Sequence, residues 1–131
     1  AATDKGISLN LEFDKGLPFV TADVGLIERA LTNLIENALR YTPSGGEVRL
    51  GLHKLSKGVS VMVEDTGQGI PPDDLPFIFE RFYRAKGNDE KTGSGLGLAI
   101  TKRIIELHGK EIGVSSIPKR GTTFSFELPS G

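Results

Sequence analysis

Apolar and polar residues alternate along Ile7-Ser-Leu-Asn-Leu-Glu-Phe13, the period of a strand with one buried face. Gly16 then turns the chain into Pro18-Phe-Val-Thr-Ala22, and the two segments predict a hairpin-like start. From Asp23, a suitable N-cap, the period changes: Leu26, Ile27, Ala30, Leu31, Leu34, Ile35 and Ala38 recur at helical spacing until Tyr41-Thr42-Pro43 ends the helix. Ser44-Gly45-Gly46 leads into Glu47-Val-Arg-Leu-Gly-Leu-His53, and Ser56-Lys57-Gly58 into Val59-Ser-Val-Met-Val63. These read as consecutive antiparallel strands. Pro71-Pro72-Asp73-Asp74 opens a short helical stretch toward Phe82.

Residues 83–95 carry no apolar periodicity, and a second long helix follows from about Gly95 to Leu107. Leu98, Ile100, Ile104, Ile105 and Leu107 supply its apolar positions, with Gly109 near its C-terminal end. Ile112-Gly-Val-Ser-Ser-Ile117 and Thr122-Thr-Phe-Ser-Phe-Glu-Leu128, joined by Pro118-Lys119-Arg120-Gly121, form a last pair of strands. Both helices carry an apolar stripe that needs a sheet to cover it. The expected fold is α+β: a two-layer α/β sandwich whose mixed, mostly antiparallel sheet of about five strands carries the helices on one face.

Length supports a single domain over residues 1–131. A formal charge of −1 and a pI near 6.2 supply no global field for nucleic acid or an anionic membrane, so neither is expected as a partner. With no cysteine, disulfides, thiolate zinc sites and cysteine nucleophiles are excluded, and a reducing compartment suits the chain. No run approaches the roughly 20 apolar residues that span a bilayer, and the N-terminus lacks a signal peptide's apolar segment. Glycine stands out at 17 residues, roughly twice the usual ~7%, and it punctuates loops without a period.

Those loops sit beside candidate chemistry. The strand around Val61-Met-Val stops at Glu64-Asp65 and runs into a turn with Gly67 and Gly69, which places the Asp65 carboxylate at the mouth of a pocket. On the first helix, about 100° per residue sets Asn33 and Asn37 about 40° apart, with Arg40 and Tyr41 near them, along one edge of the apolar stripe. An Asn carbonyl oxygen suits a Mg²⁺ ion that keeps most of its waters and bridges phosphates, and solvated helix asparagines are the bland alternative. Phe79 and Phe82, at i and i+3, would pin a short helix to the core, while Arg81 and Arg84 could reach phosphate oxygens or simply meet solvent. Gly93, Gly95 and Gly97 would let backbone N–H groups approach phosphates where the second helix begins. The intervening Ala85-Lys-Gly-Asn-Asp-Glu-Lys-Thr92 is polar, as a lid over a ligand would be.

Taken together, Asn33-Leu-Ile-Glu-Asn37-Ala-Leu-Arg40-Tyr41, Asp65-Thr-Gly67-Gln-Gly69-Ile70, Ile78-Phe79-Glu-Arg81-Phe82-Tyr83-Arg84 and Gly93-Ser94-Gly95-Leu96-Gly97-Leu98 resemble, in order, the asparagine, first glycine, phenylalanine and second glycine boxes of sensor histidine kinases. That family lies within the ATPase and kinase superfamily that includes type II topoisomerases and the ninety-kilodalton chaperones. The resemblance implies an ATP-binding catalytic domain. Asn37 would hold Mg²⁺, Asn33 and Arg40 would face phosphates with it, and Tyr41 would lie beside the nucleotide. Asp65 would accept a hydrogen bond from the exocyclic amine of adenine, with Gly67, Gly69 and Ile70 beside it. Phe82, Arg84, Gly93, Ser94, Gly95, Leu96, Gly97 and Leu98 complete the implied nucleotide contacts. The implied cofactors are ATP and Mg²⁺. The implied partners are a histidine-bearing dimerisation domain of the same parent protein and a downstream response regulator. The implied location is cytoplasmic, as part of a membrane-bound sensor. One departure is Lys110, where such kinases often have a second glycine after His-Gly.

Other readings fare worse. Gly93-Ser-Gly-Leu-Gly-Leu98 puts leucine where a dinucleotide fingerprint wants its third glycine, and no P-loop motif occurs. A superfamily hydrolase would carry a water-activating glutamate four residues before the magnesium asparagine; that position is Asn33, which cannot take a proton, and Glu36 lies about 100° around the helix from Asn37. A nucleotide-binding module without transfer activity is the remaining alternative. Neither His53 nor His108 is followed by the acidic residue and proline of a phosphoacceptor box, and His108 is expected roughly 15 Å from the second helix's phosphate-binding start. The phosphoacceptor histidine is therefore expected outside residues 1–131.

Overall fold

The computed structural model describes residues 6–80 and 97–130. Among them, five strands form one sheet in the order β1-β2-β3-β5-β4: β1 Ser8–Phe13, β2 Glu47–Leu55, β3 Gly58–Asp65, β4 Gly113–Ile117 and β5 Gly121–Pro129. Two α-helices, α1 Val24–Tyr41 and α2 Gly97–Leu107, lie on one face. Three of the four strand pairings are antiparallel and one is parallel. This is the expected mixed, two-layer α+β sandwich.

Alternation builds the inner face. Val59, Val61 and Val63 on β3 and Phe124, Phe126 and Leu128 on β5 are buried in register with one another, against Ala30, Leu34 and Ala38 of α1 and Ile104 and Ile105 of α2. Phe79 closes the layer edge-on against Phe124, with ring centroids 6.0 Å apart. The outer face is polar. There Arg49 meets Glu12, Glu47 and Glu64 at 3.2–3.4 Å, an exposed cluster that contributes little to stability.

The chain's start differs from expectation. β1 is not half of a hairpin; it runs parallel to β2, from Ser8 opposite Glu47 to Phe13 opposite Leu52. Residues 18–22 form no strand and make one bridge, Val20 to Ser130. Alternation specifies a strand but not its partner, and α1, lying between β1 and β2, carries the chain across so that the two run in the same direction. Between residues 7 and 13 only Ile7 is buried in the core; Leu9, Leu11 and Phe13 remain 51–61% exposed, at the sheet's edge.

Two smaller corrections concern helices. Within the described residues the stretch after Asp74 is a single 3₁₀ turn, Leu75–Phe77, built from successive turn bonds (Asp74 N to Pro71 O, Phe77 N to Asp74 O, Glu80 N to Phe77 O). On α2, Leu107 is 58% exposed, whereas Thr101 is fully buried and satisfied by donating to the Gly97 carbonyl at 2.9 Å. Past His108 the helix closes with Gly109 N to Glu106 O and Lys110 N to Ile105 O, at 2.9 and 3.2 Å, the paired bonds of a Schellman end. Lys110 is accommodated there without a second glycine.

Candidate functional site

Asp65 is the last residue of β3 and alternates onto the inner face, so its carboxylate is carried under the helix layer, 6% exposed. Burial pushes its pKa up, because the charged form loses water; backbone hydrogen bonds from Gly67 and Thr122 oppose the rise, and Glu64 adds to it. The Gly67 N–H donates to Oδ1 at 2.8 Å. No cation pairs with Asp65 among the described residues. Two amide donors leave part of the carboxylate's acceptor capacity unused.

The loop after Asp65 is shaped by close approach. A Cβ at Gly67 would stand 2.5 Å from the Tyr41 carbonyl oxygen and 2.9 Å from Asp65 Oδ1, so only glycine lets the loop touch the C-terminal end of α1. Gly69 takes φ +75°, and a Cβ there would stand 2.5 Å from the Ile117 carbonyl oxygen. Sequence reasoning missed what holds this loop from the far side. Ser116 Oγ accepts the Ile70 N–H at 2.7 Å and donates to the Gly121 carbonyl at 3.1 Å, so Thr122 Oγ1, 3.0 Å away, donates to it in turn. Lys119 N donates to the Gln68 carbonyl at 2.7 Å. No local signature marks Ser116, because its partners lie 46 residues away in one direction and across a turn in the other.

The asparagine row falls where the helical period put it. Asn33 and Asn37 are half-buried, Tyr41 is half-buried, Arg40 is exposed, and Glu36 is exposed on another side. Asn33 Nδ2 donates to the Gly97 carbonyl at 3.4 Å, which brings the start of α2 to the middle of α1. From Tyr41, beside Gly67, to Asn33, beside Gly97, α1 extends about 12 Å, a span suited to an extended nucleoside triphosphate. Ile70 and Leu98 pack against the core at the two ends of that span. The remaining predicted contacts, Phe82, Arg84, Gly93, Ser94, Gly95 and Leu96, and the polar stretch 85–92, lie outside the described residues.

No cluster of three or more His, Cys, Asp or Glu able to hold a metal occurs among the described residues. The Asn33 and Asn37 amides fit instead a hydrated Mg²⁺ held jointly with phosphates, since such an ion takes one or two protein oxygens. His53 sits on β2 with Nδ1 3.4 Å from Asp14 Oδ1. The Lys54 N–H and His53 hold the Asp14 carboxyl below its usual range. No helix of the described residues is long and apolar enough to cross a membrane.

Comparison with known proteins agrees with this geometry. The family described as histidine kinase-, DNA gyrase B- and HSP90-like ATPase matches residues 22–131. The adaptive-response sensory kinase SasA of Rippkaea orientalis is 42% identical over 127 residues, 96% of this chain and 32% of that protein. The chain thus spans about a third of the length of the curated relatives it matches. Full-length ShkA in complex with AMPPNP superposes with a TM-score of 0.86 at 34% identity, over 99% of this chain and 27% of that one. The histidine kinase ThkA in complex with the response regulator TrrA superposes at 0.80, with 29% identity, over 98% of this chain and 36% of that one.

Proposed function

Since the chain belongs to the histidine kinase-, DNA gyrase B- and HSP90-like ATPase family, we propose that it binds ATP with Mg²⁺ and presents the γ-phosphoryl group to a histidine on a separate dimerisation domain of a two-component sensor kinase. The observation that carries this reading is Asp65: a buried carboxylate with no cationic partner among the described residues and with spare acceptor capacity, beside a loop that only glycine can form. An exocyclic amine satisfies it, whereas the carbonyl of guanine would face it acceptor to acceptor, so ATP is preferred to GTP.

Each residue has a defined part. Asp65 fixes the base, Tyr41 lies alongside it, and the triphosphate runs along α1 to the N-terminal end of α2, whose free N–H groups and dipole favour anions. Asn33 and Asn37 line that path, with Asn37 the oxygen ligand to the metal. A bound Mg²⁺ would neutralise phosphate charge and orient the transferring group. The absence of a carboxylate at position 33 favours transfer to a histidine over activation of water. Among its structural relatives, full-length ShkA is in complex with AMPPNP and ThkA with the response regulator TrrA. By likeness, this chain acts in the cytoplasm upstream of a response regulator.

Calorimetry tests the base assignment. Asp65→Asn is expected to weaken ATP binding by about 1–3 kcal/mol, with GTP weak in both proteins. Unchanged ATP affinity in a folded variant would remove Asp65 from the site.

A further inference from the structure

α1 and α2 run antiparallel, and a side-chain-to-backbone hydrogen bond joins them near each end of their contact. Near the phosphate end Asn33 Nδ2 reaches the Gly97 carbonyl at 3.4 Å. About 15 Å further along both helices, His108 Nε2 accepts the backbone N–H of Asp23 at 3.0 Å. The imidazole state follows from its partners. His108 Nδ1 stands 2.8 Å from the Ile104 carbonyl oxygen, which can only accept, so Nδ1 carries the proton and Nε2 offers a lone pair to Asp23.

The Asp23 N–H has no partner inside its own helix. Asp23 caps α1 by accepting the Leu26 N–H on its carboxylate at 3.0 Å. A capping box would return a bond from a Glu or Gln side chain three residues on to the cap's own N–H. Leu26 occupies that position and cannot. The missing acceptor arrives from the other helix: His108 completes the cap of α1 while Nδ1 ties it to α2's own last turn.

We propose that His108 is a positioning residue that sets the axial register of α2 on α1, and so holds the start of α2 at Gly97 against Asn33 for phosphate binding. The proposal rests on the nucleotide reading of that end, and the helix register is measurable without nucleotide.

Two substitutions separate the two bonds. His108→Gln places an amide oxygen near the Nε2 position and keeps the bond to Asp23, giving up the one to Ile104. His108→Asn keeps a donor for Ile104 O and loses Asp23. In ¹⁵N-labelled protein, scalar coupling between the Asp23 amide nitrogen and His108 Nε2 reads the interhelical bond directly. The expected results are coupling in the wild type, Gly97 and Asn33 amide shifts that move in His108→Asn but stay near wild type in His108→Gln, and ATP affinity about 3- to 10-fold weaker in His108→Asn alone, the effect of one hydrogen bond. Absence of coupling, or equal shifts and equal affinity loss in both variants with a shared fall in Tm, would overturn the proposal and reduce His108 to a general stabiliser. If the wild type shows the coupling and the shift pattern but binds no ATP, the nucleotide reading fails and the register role stands.

Discussion

A carboxylate buried without a cationic partner among the described residues makes Asp65 a destabilising group at neutral pH. Its folded pKa lies above the ordinary value of 3.8. As pH rises past that value, the unfolded chain releases the Asp65 proton before the folded one does, so folding stability falls until the folded pKa is passed and then levels off. The stability of the wild type relative to Asp65→Asn, from unfolding curves across that acid range, should show this decline, since groups shared by both proteins cancel in the difference. ATP affinity should move the opposite way: an amine donor needs the ionised carboxylate, so binding weakens as pH drops through the folded pKa. Gly67 offers a second test at this scale. With a Cβ held 2.5 Å from the Tyr41 carbonyl oxygen, Gly67→Ala is expected to cost about 1–3 kcal/mol in urea unfolding, as overpacking does, and to weaken ATP binding by moving the loop off α1.

At the scale of elements, α1 is the part whose sequence and structure agree most closely. Its cap, its buried stripe of Ala30, Leu34 and Ala38, and its end at Thr42-Pro43 all follow from local rules. Thr42 is buried, with Oγ1 donating to the Ala38 carbonyl at 2.6 Å. Asp23→Ala removes the acceptor for Leu26 N–H and should lower stability by about 1 kcal/mol, read as a fall in Tm. The same change spares the backbone N–H that His108 accepts, so its effect on ATP affinity should be smaller than that of His108→Asn. β1 shows the opposite relation. Its alternation is genuine, yet Leu9, Leu11 and Phe13 are exposed, because burial at a sheet edge depends on how far the helices reach, which no pattern within the strand encodes.

For the whole molecule, phosphoryl transfer requires an acceptor in line with the γ-phosphate, and the protein's contribution is chiefly positioning. Both histidines of the chain are otherwise engaged: His53 faces Asp14 on β2, and His108 links the helices far from Gly97. Residues 1–131 incubated with labelled ATP should therefore bind it without becoming phosphorylated. Adding the histidine-bearing helical domain, fused or at high concentration in trans, should yield acid-labile phosphohistidine, and Asn37→Ala should abolish it. Robust labelling of residues 1–131 alone would refute this division of labour.

Local chemistry determined much of this protein. The first helix's stripe, the alternations of β1, β2, β3 and β5, the glycines around Asp65 and the asparagine row are short-range patterns, and each appears where its own period or turn chemistry put it. Tertiary structure decided the rest. The parallel pairing of β1, the hold of Ser116 on Ile70 and the bond that the Asp23 N–H donates to His108 join residues 39 to 85 positions apart. Nothing in either partner's neighbourhood specifies the other, because a hydroxyl, an imidazole or a strand edge accepts any complementary group that packing brings within about 3 Å. Sequence thus supplied the chemical groups of the site; the folding of the helix layer onto the sheet selected which of them meet.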